Sequence, residues 1–305
     1  MSSLLAPIAL FVYNRPWHVR QTLESLKKNH LSAQSILYIF ADGAKSAAEQ
    51  NSLDRIAEVR KIIRQEQWCK EVHIIENEQN KGLANSIIEG VSQLVSQYGK
   101  VIVLEDDMIT SPFFLQFMNE ALDFYENEER VASIHAYTFN VANLPTTFFL
   151  RDPGCWGWAT WARGWKLFEY DGSKLMKEIQ KKKLIKEFNY ENSYPYFLML
   201  EKQVKGANDS WAIRWYASLF LKNKLTLYPC QSLVYNIGND ASGTHATGDE
   251  SYFDVKVSQK AIPIQKIPIE ANEIAYQKIV KFFHAHFPPP SLWRKLKNKV
   301  LAWIE

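Results

Sequence analysis

Short apolar runs and helical periods alternate through the first half of the chain. Residues 8–13, 36–41, 72–75 and 101–104 are rich in β-branched and aromatic side chains. Each run precedes a stretch whose apolar positions recur at helical spacing, over 16–28, 47–65, 83–98 and 112–127. Such alternation predicts an α/β fold with a mostly parallel central sheet flanked by helices. Pro16 and Pro112 suit the first turn of a helix, where a missing N–H costs nothing. Beyond residue 131 the alternation breaks down. A strand is expected at 131–136, then the Trp-rich segment GCWGWATWARGW with helical spacing, and a charged helix with lysines at 181–183. A helix over 211–221, a strand at 225–228 and the glycine-rich segment NIGNDASGTHATG follow. No repeat or low-complexity linker divides the chain, so the second half is expected to pack against the sheet as one body.

In sheets of this kind ligands bind outside the carboxyl ends of the strands. The four predicted strands end in Asn14 and Arg15, in Asp42 and Gly43, in Asn77 with Asn80 to Gly82, and in Glu105, Asp106 and Asp107. Turn chemistry alone accounts for any one of these sets; all four together point to one crevice. The sharpest signal is VIVLEDDMITSP. Three consecutive carboxylates after an apolar strand repel one another unless a cation sits among them, and Mg²⁺ or Mn²⁺ takes one or two carboxylates together with phosphates and waters. In an extended segment Glu105 and Asp107 share a face and Asp106 opposes them. The plainer reading of the motif is a solvated acidic cap ahead of Pro112.

Composition narrows the setting. The 305 residues suit one large domain or two closely packed ones, and 47% hydrophobic with 23% charged residues excludes a disordered or fibrous chain. A net charge of +3 gives no reason to expect a nucleic-acid partner. Cys69, Cys155 and Cys230 are odd in number and widely spaced, which suggests free, mostly buried thiols in a reducing, cytoplasmic setting. The first apolar stretch has no basic residue ahead of it, unlike a secretory signal, and no window is apolar enough to span a membrane.

The VLEDD segment resembles the acidic motif of glycosyltransferases with the GT-A fold. FVYNRP, FADGA and NKGLANS resemble the nucleotide-binding half of family 2 glycosyltransferases, and GWATW, NDSW and SGTH resemble, in order, segments of the β-1,2-N-acetylglucosaminyltransferases. The resemblance, over roughly residues 6–250, implies a GT-A fold with a Rossmann-like nucleotide-sugar half over 1–130 and an acceptor-binding and catalytic half over 131–260 packed as one domain with it; beyond them a helical extension is expected over 261–305. It implies a UDP-sugar as co-substrate with Mn²⁺ or Mg²⁺, and a saccharide or lipid-linked acceptor. Asp107 would ligate the metal, with Glu105 and Asp106 beside the ribose and the sugar. Asn14 and Arg15 would line the nucleotide pocket, Asp42 would contact base or ribose, and Asn80, Lys81, Gly82 and Asn85 would hold the nucleotide sugar. Asp209 falls at the position of the catalytic base, although the relatives' flanking tryptophan and neighbouring acid are here Asn208 and Ser210.

Other candidates come from the residues themselves. His245, in its glycine-flanked loop, is a further candidate metal ligand, against the plainer reading of an uninvolved loop histidine. Trp156 and Trp158 could present an apolar face to sugar C–H groups, though the tryptophans of this segment equally suit a core. Residues 291–305 place Trp293, Leu296, Val300 and Trp303 on one helical face, as a peripheral membrane helix would, or as a helix docked on its own domain would. Two alternatives stand beside the transferase. A sugar-nucleotide nucleotidyltransferase needs a glycine-rich basic loop where the chain has NRPWH, and an inactive carbohydrate-binding protein would have no activity for Asp209→Asn to remove.

Overall fold

The computed structural model describes residues 4–238 and 251–287. The first half runs β1 (Ile8–Val12), α1 (Pro16–Lys27), β2 (Ile36–Ala41), α2 (Gln50–Ile62), β3 (Glu71–Glu76), α3 (Leu83–Tyr98) and β4 (Lys100–Glu105). Then come β5 (Met108–Thr110), α4 (Phe114–Phe124), β6 (Val131–His135), β7 (Thr147–Leu150), β8 (Trp158–Trp161) and α5 (Ala162–Trp165). The remainder comprises α6 (Gly172–Lys181), α7 (Ile185–Phe188), α8 (Tyr196–Val204), α9 (Trp211–Leu221), β9 (Leu225–Pro229), β10 (Val234–Asn236) and α10 (Glu273–His286).

Eight strands form one sheet in the order β3-β2-β1-β4-β8-β6-β9-β7. The pairings β3-β2, β2-β1, β1-β4 and β6-β9 are parallel; β8 runs against β4 and β6, and β7 against β9. Six strands therefore point one way, and the fold is the expected α/β type with a mostly parallel sheet between helical layers. Alternation within each strand separates the two faces. Ile8, Leu10, Ile102 and Leu104 pack with α1 and α4, whereas Ala9, Phe11, Val101 and Val103 pack with α3 and α9. A third apolar cluster joins Phe148, Leu150 and Tyr228 to residues of α6, α8, α9 and α10.

Helices α3 and α9 lie on the same face, and each leads into a strand of the majority direction, β4 and β9 respectively. Both therefore run against those strands and bring their N-termini to the carboxyl edge of the sheet, where β4 ends in Glu105. Residues 261–272 are extended, and α10 docks Ala275, Ile279 and Phe283 into the third cluster.

Three expectations change. Pro112 lies two residues ahead of α4 rather than in its first turn, because the chain first has to leave β5 through a turn. The Trp-rich segment is not chiefly helical: Trp158–Trp161 is strand β8, filling the gap between β4 and β6, and only Ala162–Trp165 is helix. Cys69 is buried, but Cys155 and Cys230 are half-buried; all three are free.

Candidate active site

The apolar alternation of β4 stops at Glu105, whose side chain continues the face of Val101 and Val103, the face that α3 and α9 cover. The chain then turns through Asp106 and Asp107 into β5. Thr22, buried on α1, fixes this turn: its hydroxyl donates to the Asp106 carbonyl at 2.7 Å and accepts the Met108 N–H at 3.1 Å. Arg15, which precedes Pro16 at the start of α1, carries its guanidinium to the acids. Nη1 lies 2.8 Å from Asp107 Oδ2 and 3.4 Å from Asp106 Oδ1.

One guanidinium among three carboxylates leaves the cluster electrostatically unbalanced. Burial, aided by the charges of Asp107 and Asp106, pushes the Glu105 carboxyl well above the usual range against the opposing pull of Arg15. Burial and Asp107 push Asp106 up to about 7, opposed by Arg15 and by backbone N–H groups. Asp107 Oδ1 is buried without a hydrogen-bond partner among the described residues. A buried, unsatisfied carboxylate oxygen beside like charges fits a hard divalent cation, for which the protein need supply few ligands. Among the described residues no group of three His, Cys, Asp or Glu side chains is placed to hold a metal ion by itself.

A distant segment forms the back of the site. β10 pairs antiparallel with β5, Asn236 opposite Met108, and the Ile237 N–H donates to the Asp107 carbonyl at 2.9 Å. Gly238 follows, held by its N–H to Asn236 Oδ1, and a Cβ there would lie 2.2 Å from Asp107 Oδ2. Only a residue without a side chain allows this approach to the carboxylate.

Asp42, at the end of β2, is 7% exposed and serves its own neighbourhood rather than an open pocket. Its carboxylate accepts N–H groups from Gly43, Lys81 and Gly82 and from the side chains of Asn77 and Asn80, all at 2.9–3.3 Å. These contacts make Asp42 the residue that holds the loop leading into α3. Asn80 is a member of that network. Lys81 turns outward to Glu89 at 2.6 Å, and exposed Asn85 donates to the Lys81 carbonyl, so neither side chain is directed at the acids. Asn14 donates to Ser52 Oγ at 3.3 Å, bracing the turn after β1.

Asp209 lies just ahead of α9, which Ser210 caps by accepting the Ile213 N–H. The Asp209 side chain is 65% exposed and accepts a hydrogen bond from Arg214 Nη2 at 3.0 Å. Trp158 lies beneath, stacked on Trp211 at 5.2 Å between ring centres and fully buried. That burial corrects the assignment of Trp158 to a sugar-facing role: on a central strand its indole is core, and it anchors the start of α9. Trp156 is half-buried, edge-on to Tyr137 and Phe253.

Sequence reasoning missed the support of this loop. His135, at the end of β6, accepts the Trp156 N–H at Nε2, and burial pulls its imidazole down to about 3, so it stays neutral. Gly154, at φ +57°, lies so close that a Cβ would enter the His135 ring. Asp152 is buried, is pushed up by burial to about 6, and accepts the hydroxyls of Tyr190 and Tyr196. Thr22, Gly238 and His135 carried no local signal, since each matters only through a partner remote in sequence. His245 and 291–305 lie outside the described residues. Among the described residues no helix is long and apolar enough to cross a membrane.

A model of glycosyl transferase family 2 matches residues 8–164. The match spans more than half of the chain, and the chain belongs to this family: it is a glycosyltransferase that draws on nucleotide sugars. No curated protein matches it in sequence. Among solved structures, it is similar to a UDP-glucose pyrophosphorylase complexed with UDP-glucose at 11% identity and TM-score 0.36, over 73% of this chain and 90% of that one. It is similar to glucosyl-3-phosphoglycerate synthase from Mycobacterium tuberculosis at 11% identity and TM-score 0.34, over 55% and 59%. Mouse xyloside xylosyltransferase 1 gives 9% identity and TM-score 0.36, over 70% and 80%. Likeness at this level identifies no substrate, and the narrower resemblance to β-1,2-N-acetylglucosaminyltransferases finds no support in these matches.

Proposed function

We propose that the chain transfers a sugar, with inversion, from a UDP-sugar to a hydroxyl of a saccharide or lipid-linked glycan acceptor, and that it does so with Mn²⁺ or Mg²⁺. The observation that carries this reading is the cluster of Glu105, Asp106 and Asp107 at the carboxyl edge of the sheet, with one buried Asp107 oxygen unsatisfied. Asp107 would hold the ion, which when bound neutralises charge on the departing diphosphate, an effect on the order of 10³-fold in rate. Arg15 adds a positive charge at the same place, and the loop that Asp42 organises borders the nucleotide.

The acceptor side rests on Asp209. Its exposed carboxylate, oriented by Arg214 at the start of α9, would take the proton of the acceptor hydroxyl while that oxygen attacks the anomeric carbon. The bond to the diphosphate breaks on the opposite face, and the configuration inverts. What supports this role is that α9, which Asp209 precedes, starts at the carboxyl edge of the sheet, the edge at which β4 ends in Glu105.

Thermal shift tests the reading with UDP, GDP, CMP, dTDP and UDP- and GDP-sugars, each with Mn²⁺, Mg²⁺ or EDTA. Ligand at a hundredfold excess over its dissociation constant stabilises the fold by about 2.7 kcal/mol. A shift with uridine nucleotides that needs the metal and disappears in Asp107→Ala is the expected result. No shift with any nucleotide rejects the sugar-nucleotide site.

A further inference from the structure

We infer that Tyr170 is the acceptor platform, an aromatic face on which a pyranose ring of the acceptor lies while its hydroxyl meets Asp209; this rests on the function proposed above. Tyr170 is 57% exposed, yet it is firmly fixed. Its carbonyl accepts from Arg214 Nη1 at 3.4 Å, and the same guanidinium holds Asp209 through Nη2 at 3.0 Å. One buried arginine thus holds both the phenol-bearing backbone and the carboxylate, on its two terminal nitrogens.

The preceding residue is pinned to the same helix, because the Glu169 N–H donates to Ser218 Oγ at 3.0 Å, one turn along α9 from Arg214. The following residue, Asp171, caps α6 by accepting from Ser173 and Lys174. The ring itself meets Phe168 edge-on at 5.1 Å. Phe168 stacks on Trp165, and Trp165 packs against Trp158 and Trp215 in the core. The exposed phenol is therefore the outer end of a continuous series of aromatic contacts that begins at Trp158 of β8.

An aromatic ring held at the surface loses little freedom when something packs on it, and its electron-rich face suits the C–H groups of a sugar ring. A structural role does not need the ring exposed, since the backbone contacts and Phe168 already fix the loop. The shared hold of Arg214 on Tyr170 and Asp209, with no such link to Asp107 among the described residues, assigns the platform to the acceptor and not to the nucleotide.

The test uses the whole protein with UDP and Mn²⁺ present, and the methyl β-pyranosides of glucose, galactose and N-acetylglucosamine as probes, read by saturation-transfer difference NMR. The expected result is transfer to the ring protons of at least one glycoside, lost in Tyr170→Ala and kept in Tyr170→Phe, while the UDP-dependent thermal shift is the same in all three proteins. Equal transfer in Tyr170→Ala, or none to any glycoside in the wild type, overturns the platform. Absence of the UDP shift in the wild type would instead reject the nucleotide-sugar reading beneath it, so the two failures are told apart.

Discussion

A single methyl group measures how closely the acidic site is built. Gly238→Ala places a Cβ 2.2 Å from Asp107 Oδ2 in the present geometry, so carboxylate or backbone has to move. The expected outcome is at least a tenfold loss of Mn²⁺-dependent nucleotide affinity by titration calorimetry, with the unfolding midpoint in EDTA changed little. His135 offers a second test through pH. Its imidazole is held neutral down to about 3 in the folded chain but takes up a proton near 6.5 once unfolded. Its contribution to stability is therefore complete above about pH 6.5 and is lost as pH falls from there toward 3. Urea unfolding between pH 6 and 4 should show the wild type losing about 1.4 kcal/mol per pH unit more than His135→Gln. Parallel slopes would mean that the ring is not held neutral. The acidic run and the glycine behind it differ in what sequence could reveal. Glu105 to Asp107 stand out because three acids are contiguous after an apolar run. Gly238 is one glycine in a glycine-rich segment, and its approach to Asp107 depends on a pairing formed far along the chain.

Elements with long periods were legible and short ones were not. The spacing predicts helices over 83–98 and 211–221, and α3 and α9 have those bounds. Strands β5 and β10 have three residues each and β7 and β8 four, too few to display a period of two. Trp158, Trp161 and Trp165 happen to recur at helical spacing, so β8 mimicked a helix in sequence. The loop from Asn77 to Gly82 belongs to this scale as well, because Asp42 organises it as a unit through four N–H donors. Asp42→Ala leaves the Lys81 and Gly82 amides without their acceptor. Hydrogen exchange at those two amides should accelerate at least tenfold, with a stability loss of about 1–3 kcal/mol. Unchanged exchange would show that the loop is held by something else.

At the scale of the molecule, the sheet joins what sequence reading treated as two halves. β8 lies between β4 and β6, so the strand that ends in the acids is hydrogen-bonded to the strand that carries Trp158. Trp158 in turn stacks on Trp211 at the start of α9, two residues beyond Asp209. Trp158→Ala should cost about 3–5 kcal/mol by urea unfolding, as removal of a large buried aromatic does. It should also lower turnover more than nucleotide affinity, because the anchor of α9 is lost while Asp107 and Arg15 are untouched. A smaller cost, below about 1 kcal/mol, would mean that the core closes over the gap. The order of strands was not readable in advance, since antiparallel insertion of β8 follows from how the sheet closes and not from any local pattern.

The ribbon of β5 and β10 has a consequence for synthesis. The acids leave the ribosome early, whereas Ile237 and Gly238, which back Asp107, emerge far later. Strand pairing across so long a stretch is slow to form. A nascent chain halted after β9 already has the parallel core and its carboxylates, but lacks the backing of Asp107. Completion of the acidic site around Asp107 is thus a late event in the life of the polypeptide, and prematurely terminated products are built without it.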